Sequence, residues 1–176
     1  MDNKFLTHSK PFFDHLEKHH ALSEDCELIF VAWNFQTPEN LGNLIRLAAN
    51  IGTKTILMVN DNAQQHKQSK INFLARSALP FVEIINCKST NYQQYIPSYI
   101  AHVALETCYN AQNIMEQNLP AKMALFLGNE RTGLPTEVIE SCTLKLYIPM
   151  PGAIKSMNVS HAATVAAFKW LSCHCK

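Results

Sequence analysis

The 176-residue sequence has little net charge and no long apolar run. Its 15 Lys and Arg residues nearly balance its 14 Asp and Glu residues, which leaves a net charge of +1 with neutral histidines. A surface for nucleic acid must therefore be a local patch or be shared by several subunits. No apolar run approaches the length of a membrane span. The first ten residues, MDNKFLTHSK, contain no apolar signal-peptide core. We therefore expect a soluble cytoplasmic protein.

Two chemical frameworks are also absent. The chain has neither a glycine-rich phosphate loop nor a Gly-x-Ser-x-Gly nucleophile elbow, which argues against a metabolic α/β enzyme built on either. Its six cysteines are mostly scattered and lie in or next to apolar segments, which indicates reduced thiols rather than a disulfide framework. At the C-terminus, the neighbouring Cys173, His174 and Cys175 cannot enclose a tetrahedral ion without a fourth ligand, so we expect no metal site.

Short apolar runs alternate with helical patterns along most of the chain. The runs at 27–33 (ELIFVAW) and 122–127 (KMALFL) are typical of parallel strands buried on both faces. Further strands are predicted at Lys54–Val59, Phe81–Asn86, His102–Leu105 and Leu144–Ile148. Helices are predicted over Leu41–Ile51, Ser69–Ala78, Ser89–Tyr95, Pro135–Ser141 and Asn158–Ser172, with some helical character at Asn110–Gln117.

This alternation predicts the fold class. It indicates one α/β domain over residues 26–176, with a mostly parallel sheet that helices cover on both faces. Residues 1–25 are expected to form an N-terminal extension with a short helix near Pro11–His20.

Three loops that follow predicted strands combine Gly, Asn and charged residues. They are PENLGNLIR (38–46), LGNERTGL (127–134) and IPMPGAIKSMNVS (148–160). Loops between a strand's carboxyl end and a helix are where open α/β sheets bind ligands. Each residue nevertheless has a plain structural interpretation. Asn40 is a possible helix N-cap, Arg46 a solvated arginine and Glu130 an acceptor for backbone amides, while Ser156 and Asn158 are possible caps of the last helix.

The third loop carries constraints of its own. Pro149 and Pro151 prevent the chain from continuing as a strand or entering a helix at once. Gly152 is expected to allow backbone angles or a close approach that other residues resist.

In order and residue type, the three loops resemble the motifs of the SpoU/TrmH family of RNA ribose 2′-O-methyltransferases, part of the SPOUT superfamily. The first family motif is Asn-x-Gly followed by Arg, here Asn40, Gly42 and Arg46. The second, Gly-Asn-Glu-x-x-Gly, matches residues 128–133. The third, Ile-Pro-Met-x-Gly followed by Ser-Leu-Asn-Val-Ser, matches 148–152 and 156–160, except that Met157 replaces Leu. The resemblance covers about residues 28–170.

The resemblance implies a SPOUT-type fold whose C-terminal part forms a deep trefoil knot, with S-adenosylmethionine bound in the knot as cofactor. The absence of a Gly-x-Gly-x-x-Gly fingerprint agrees with such a site. In the family, apolar side chains and backbone groups enclose the adenine. Carried over to this sequence, the cofactor-binding residues are Leu105, Glu106, Thr107, Leu127, Gly128, Asn129, Glu130, Ile148, Pro149, Met150, Met157 and Asn158.

The implied reaction is displacement at the cofactor's methyl carbon by a ribose 2′-oxygen. Arg46 occupies the position of the family's catalytic arginine. Because a guanidinium is very hard to deprotonate, we expect Arg46 to grip an RNA phosphate and stabilise the developing alkoxide rather than to act as a base. Asn40, Ser156 and Asn158 are expected to orient Arg46 and the ribose. Glu130 is expected to shape its loop or to fix Arg46 by a charge pair.

The family acts as homodimers with sites at the subunit interface, so Arg46 is expected to reach the partner's cofactor. The last helix suits close packing between subunits, and the alternative is that the same residues are core. They are Ala162, Ala163, Val165, Ala166 and Phe168.

The implied substrate is RNA. The Gly-Asn-Glu-Arg-x-Gly form of the second motif and residues 77–84 look more like tRNA members of the family that modify guanosine. Alternatives are an rRNA target and a non-catalytic scaffold that binds RNA or cofactor. Lys70 and Arg76 have a second interpretation as solvated helix charges. The expected RNA-binding residues are Arg46, Lys70, Arg76, Arg131 and Lys155.

Overall fold

A computed structural model describes residues 22–61 and 68–174 of the chain, together with Ser9 and Phe13. Seven strands form one sheet in the order β3-β2-β1-β6-β4-β7-β5, and each pair of neighbours is parallel. The strands are β1 (Glu27–Trp33), β2 (Thr55–Val59), β3 (Glu83–Cys87), β4 (Ala101–Leu105), β5 (Gln112–Asn113), β6 (Lys122–Leu127) and β7 (Leu144–Tyr147).

Helices connect most of the strands. The α-helices of the described ranges are α1 (Pro38–Ile51), α2 (Gln68–Ala75), α3 (Thr136–Ser141) and α4 (Val159–His174). Short 3-10 helices lie at Arg76–Phe81, Tyr92–Tyr95 and Ile114–Glu116. None of the helices in the described part of the chain is long and apolar enough to cross a membrane.

Both faces of the sheet are buried, as parallel strands require. Successive residues of a strand point to opposite faces. In β1, Phe30 therefore joins the core beneath α1, α2 and α4, whereas Val31 joins the core beneath Tyr92 and α3. Neither side chain is exposed to solvent. The predicted α/β class, with a parallel sheet between two helical layers, is confirmed.

Several predicted boundaries are wrong. The predicted loop over residues 34–39 is too long, since α1 begins at Pro38, a favoured first helical residue. The strand predicted at Phe81–Asn86 begins at Glu83, because the chain after α2 continues as a 3-10 helix that contains Pro80. The helix predicted from Ser89 is only the 3-10 turn at 92–95.

Two smaller elements also differ from prediction. The connection predicted at 110–117 contains the short strand β5, whose residues pair with Leu146 and Tyr147 of β7. Pro135 precedes α3 as its N-cap instead of opening it. The helix predicted near Pro11–His20 lies outside the described residues except for Phe13, and so does most of the polar loop at 60–68.

The sheet order brings four loops together at one edge. Strands β1, β6, β4 and β7 are consecutive neighbours, and in a parallel sheet all carboxyl ends share one edge. The loops after these strands begin at Asn34, Gly128, Glu106 and Ile148. All three motif loops recognised in the sequence therefore meet beside the loop after β4.

Candidate active site

The loop after β6, residues 128–134, is tied to the start of α1 by one carboxylate. Glu130 Oε2 accepts a hydrogen bond from the backbone N of Gln36 at 2.8 Å. Its Oε1 accepts from the backbone N and the hydroxyl of Thr37, at 3.1 and 3.0 Å, and from Asn40 Nδ2 at 2.7 Å. Four donors, two of them backbone amides near the positive end of a helix dipole, hold this anion.

These donors also set the charge state of Glu130. Burial raises the pKa of its carboxyl, but the hydrogen bonds from Asn40 and from the amides of Gln36 and Thr37 lower that pKa by more. The net pKa lies below the ordinary value of 4.5. Glu130 is therefore an anion at neutral pH.

Asn40 connects Glu130 to the third motif through hydrogen bonds. Its Oδ1 accepts a hydrogen bond from Asn158 Nδ2 at 2.9 Å, and only 4% of the Asn40 side chain is exposed. Asn158 Oδ1 in turn accepts from the backbone N and the hydroxyl of Ser160, at 2.8 and 2.7 Å. Asn43 Nδ2 donates to the same hydroxyl oxygen at 3.5 Å. We call the set Glu130, Asn40, Asn158, Ser160 and Asn43 the polar network.

The polar network decides between several interpretations left open by the sequence. Asn158 is the N-cap of α4, since its side chain accepts from the amide of the second helical residue. Asn40 is not an N-cap, because it is the third residue of α1. Glu130 binds amides, and within the described residues Arg46 forms no ion pair with it.

Asn129 shapes the 128–134 loop from within. Its Oδ1 accepts from the backbone N of Arg131 and of Thr132, at 2.8 and 3.2 Å, and its Nδ2 donates to the carbonyl of Asn34 at 2.5 Å. The Asn129 backbone also exchanges two hydrogen bonds with Gly133, at 3.1 and 2.9 Å. The loop is consequently a closed turn with a defined shape.

A cavity of about 500 Å³ opens beside this loop. Its walls come from the loops after β4, β6 and β7 and from the start of α4, and they combine apolar side chains with backbone, carboxylate and cationic groups. The lining residues are Leu105, Glu106, Thr107, Gly128, Asn129, Glu130, Arg131, Gly133, Tyr147, Ile148, Met150, Lys155, Ser156, Met157, Asn158, Val159 and Ala162.

Most of the residues expected to bind the cofactor line this cavity, but two do not. Leu127 turns its side chain into the core beneath α1 and α4 and is 1% exposed. Pro149 is exposed and is not one of the lining residues. Arg131 and Lys155, expected at the RNA, are part of the cavity wall.

Other predicted residues lie apart from the cavity. Arg46 is exposed on α1, two turns from Asn40, and contacts neither Ser156 nor Asn158 by a hydrogen bond within the described residues. Lys70 of α2 pairs with Glu39. Arg76 stacks its guanidinium 4.7 Å from the ring centroid of Phe73.

The 151–158 segment does not require a glycine at position 152, contrary to the prediction. All eight residues are exposed. The special role expected of Gly152 is wrong, since an added Cβ would meet open space and the residue has no positive φ. Lys155 Nζ donates to the carbonyl of Met150 at 2.8 Å and closes this loop instead.

Sequence reasoning missed some site residues. Ser160 is 4% exposed and completes the polar network with Asn43. Ser160 ends the third motif and Asn43 lies one helical turn after Asn40, so both positions carried a signal. Gln36 and Thr37 carried none, because they act mainly through backbone amides.

Metal ligation finds no support in the part of the chain that is described, where no group of three or more His, Cys, Asp or Glu residues could hold an ion. His174 of the C-terminal segment instead contacts the carbonyl of Leu119 at 2.9 Å. Cys175 lies outside the described residues.

Comparison with known proteins gives a consistent result. The model of the SpoU rRNA Methylase family matches residues 27–168. The chain is 31% identical over 138 residues to the mouse (Mus musculus) tRNA (guanosine(18)-2'-O)-methyltransferase TARBP1. The matched region covers 75% of this chain and 8% of that protein. It is 32% identical over 148 residues to the 23S rRNA (guanosine-2'-O-)-methyltransferase RlmB of Xylella fastidiosa (strain Temecula1), covering 81% of this chain and 57% of that protein.

The fold is also similar to solved structures. The AdoMet-bound rRNA methyltransferase of Sinorhizobium meliloti superposes with a TM-score of 0.74 at 19% identity, covering 86% of this chain and 57% of the other. The chain thus spans little more than half of the Xylella fastidiosa and Sinorhizobium meliloti proteins, and a small part of the mouse protein.

Proposed function

Because the chain belongs to the SpoU rRNA Methylase family, we propose that it is an S-adenosylmethionine-dependent enzyme that methylates a ribose 2′-hydroxyl of RNA. The observation that carries this proposal is the polar network. It joins residues of all three motif loops by hydrogen bonds beside one cavity. Convergent polar groups at the carboxyl edge of a parallel sheet are typical of ligand sites.

The cavity fits S-adenosylmethionine in size and chemistry. A volume of about 500 Å³ lies within the range of pockets for cofactor-sized ligands. Apolar side chains of Leu105, Ile148 and Met157 suit an adenine ring, and the backbone of the 128–134 loop offers hydrogen-bonding groups. When bound, the cofactor supplies an electrophilic methyl group attached to a sulfonium.

Arg46 and the polar network have separate tasks in this proposal. Arg46 is exposed and free of ion pairs within the described residues, so its planar fork is available to an RNA phosphate and to the negative charge that develops on the 2′-oxygen. The polar network holds Asn40 and Asn158 in fixed orientations beside the cavity. In this proposal Ser156, which is exposed and lines the cavity, contacts the ribose.

RNA is held by cations on two surfaces. Arg131 and Lys155 line the cavity, while Lys70 and Arg76 lie on α2 and the 3-10 helix after it. Tight packing joins this second surface to α1, since a Cβ on Gly42 would lie 2.5 Å from Leu74 Cβ. The favoured target is tRNA, at a guanosine, with rRNA as the alternative. Each target is supported by one relative, since the mouse protein is named as a tRNA methyltransferase and the Xylella fastidiosa protein as an rRNA methyltransferase.

The active form in this proposal is a homodimer in which Arg46 serves the partner's cavity. Two exposed side chains support the homodimer. Arg46 is exposed on α1, and Phe168 on α4 is 55% exposed. The neighbouring Ala163 and Ala166 are part of the chain's own core, as the alternative interpretation of α4 held. Sedimentation tests the assembly, and a stable monomer that retains full activity would contradict it.

Two further features belong to the proposal. A C-terminal trefoil knot is supported by the strand order, because β7 lies between β4 and β5, although it follows both in sequence. An experimental backbone trace of residues 100–170 tests the knot. The proposed location is the cytoplasm, and cell fractionation tests it.

Calorimetry with S-adenosylmethionine, followed by methyl transfer to total tRNA and rRNA, tests the function. The proposal predicts both binding and transfer, with tRNA as the better acceptor. Binding without transfer to any RNA would favour the non-catalytic scaffold. Mass spectrometry of tRNA and rRNA from a deletion strain should then reveal one missing ribose methyl group.

A further inference from the structure

A second carboxylate contacts the 128–134 loop at its last residue. Glu106 directly follows β4, and its side chain is half-buried in the cavity wall. Its Oε1 accepts a hydrogen bond from the backbone N of Thr107, and its Oε2 accepts from the backbone N of Leu134, both at 3.0 Å. The Glu106 backbone N donates to the carbonyl of Leu146 in β7 at 2.9 Å. One residue therefore connects the ends of β4 and β7 with the end of the loop.

Two glycines of the loop, Gly128 and Gly133, allow the close contact with the Glu106 carboxylate. A Cβ on Gly133 would lie 2.5 Å from Glu106 Oε2, and the φ of Gly133 is +67°. A Cβ on Gly128 would lie 2.5 Å from Gly133 C and from Leu134 N. Any side chain at either glycine would thus displace the Leu134 amide from its acceptor. Leu134 itself is 6% exposed, so its amide has little access to water as a substitute.

We propose that Glu106 is a positioning residue that locks the 128–134 loop in its cofactor-binding shape by accepting the Leu134 amide. The identity of the ligand rests on the proposed function. Glu130 fixes the middle of the loop and Glu106 fixes its end, so the cavity wall between them has one conformation. Without Glu106, only a fraction of molecules hold that conformation, and the apparent dissociation constant rises by the inverse of the fraction.

The substitutions Glu106→Gln and Glu106→Ala test the proposal in the full chain. Gln keeps one acceptor oxygen but turns an NH₂ toward one of the two amides, whereas Ala removes both acceptors. We expect the Kd for S-adenosylmethionine to rise roughly tenfold in the Gln variant and more in the Ala variant. At saturating cofactor, binding shifts the variant molecules into the loop conformation that binds the cofactor. KM for the cofactor should therefore rise while kcat stays near the wild-type value.

The matched control is Glu140→Gln, which removes an exposed carboxylate from α3, outside the cavity wall. It should leave the Kd and the melting temperature unchanged. A fall in kcat at unchanged KM in the Glu106 variants would indicate direct action on the reaction and overturn the positioning role. A Kd within twofold of wild type in both Glu106 variants would overturn it as well.

A double-mutant cycle with Gly133→Ala isolates the contact. In the wild-type background the new methyl group strikes Glu106 Oε2 and strains φ, whereas in the Glu106→Ala background only the strain is left. The proposal predicts that Gly133→Ala raises the Kd by a smaller factor when Glu106 is absent. Equal factors in the two backgrounds would show that the carboxylate and the glycine are not coupled.

Amide hydrogen exchange separates this inference from the proposed function. In Glu106→Ala the Leu134 amide should exchange at least tenfold faster than the change in global stability alone explains, whether or not a cofactor is known. Failure of the wild-type protein to bind S-adenosylmethionine would refute the proposed cofactor, and accelerated exchange would still support the Glu106 lock. Unchanged protection of Leu134 would overturn the lock even if the wild-type protein binds the cofactor.

Discussion

The substitution Asn40→Asp converts the central donor of the polar network into a second carboxylate. Asn40 Nδ2 lies 2.7 Å from Glu130 Oε1, and the side chain is only 4% exposed. The change removes a hydrogen bond to a charged acceptor, worth about 1.5–3 kcal/mol. It also places two negative charges roughly 4 Å apart, which costs about 4 kcal/mol at an effective dielectric constant of 20. At pH 7.5 we therefore expect a loss of unfolding free energy on the order of 6 kcal/mol.

The loss should depend on pH with a defined sign. Two carboxylates in contact raise the pKa of the pair, so the folded variant binds a proton that the unfolded chain does not. Its stability relative to wild type is therefore regained as the pH falls, and at pH 5.0 the loss should shrink to roughly 2 kcal/mol. In wild type the lowered pKa of Glu130 acts in the opposite direction. Its contribution is present above pH 4.5 and is lost as the pH falls through the folded pKa.

Urea denaturation of the variant and of wild type at both pH values measures these differences. Comparison at equal pH cancels other titrations, such as that of His102, whose pKa burial lowers. The control is Asn50→Asp, which adds the same charge at an exposed position of α1. It should cost less than about 1 kcal/mol at either pH. An equal loss in Asn40→Asp at both pH values would refute the contact with Glu130.

Three further predictions concern other parts of the molecule. Trp170 is fully buried and donates to the carbonyl of Pro120 at 3.0 Å, so Trp170→Ala should cost about 3–5 kcal/mol and lower Tm by about 10 °C in a thermal melt. Burial raises the pKa of Cys142 to about 12 and also raises that of Cys87, so iodoacetamide at pH 8 should label these two cysteines only after unfolding, and labelling of either one in the native protein, located by peptide mapping, would contradict their burial. Arg46→Lys keeps the charge but loses the fork, so kcat should fall at least about tenfold, and wild-type turnover would exclude a bidentate role.

The central strands and the family were predictable because their signals are local. Continuous apolar runs identified β1 and β6, and three motifs in order identified the SpoU family, which is confirmed. Strand β5 was missed because its residues, Gln112 and Asn113, are polar and pair with β7 only through the backbone. Nothing in such a dipeptide distinguishes a strand from a loop.

The contacts inside the site were less accessible to sequence reasoning. The motifs identified Glu130, but its donors, Gln36 and Thr37, lie more than 90 residues away and act mainly through backbone amides. One alternative drawn from the motifs was a charge pair between Glu130 and Arg46, which the described residues of one chain do not form. Residue type identifies which side chains carry charge, whereas the sheet order decides which of them meet.

The position of the transferred methyl group distinguishes ribose methylation from base methylation. The protein is incubated with S-adenosylmethionine labelled in its methyl group and with total tRNA or rRNA, and the product RNA is hydrolysed in alkali. A methylated 2′-oxygen cannot take part in strand cleavage, so we expect the label in alkali-resistant dinucleotides, and we expect Arg46→Ala to lose it. Label recovered in mononucleotides would show base methylation, and no label in any RNA would show that the chain is not a methyltransferase for these RNAs.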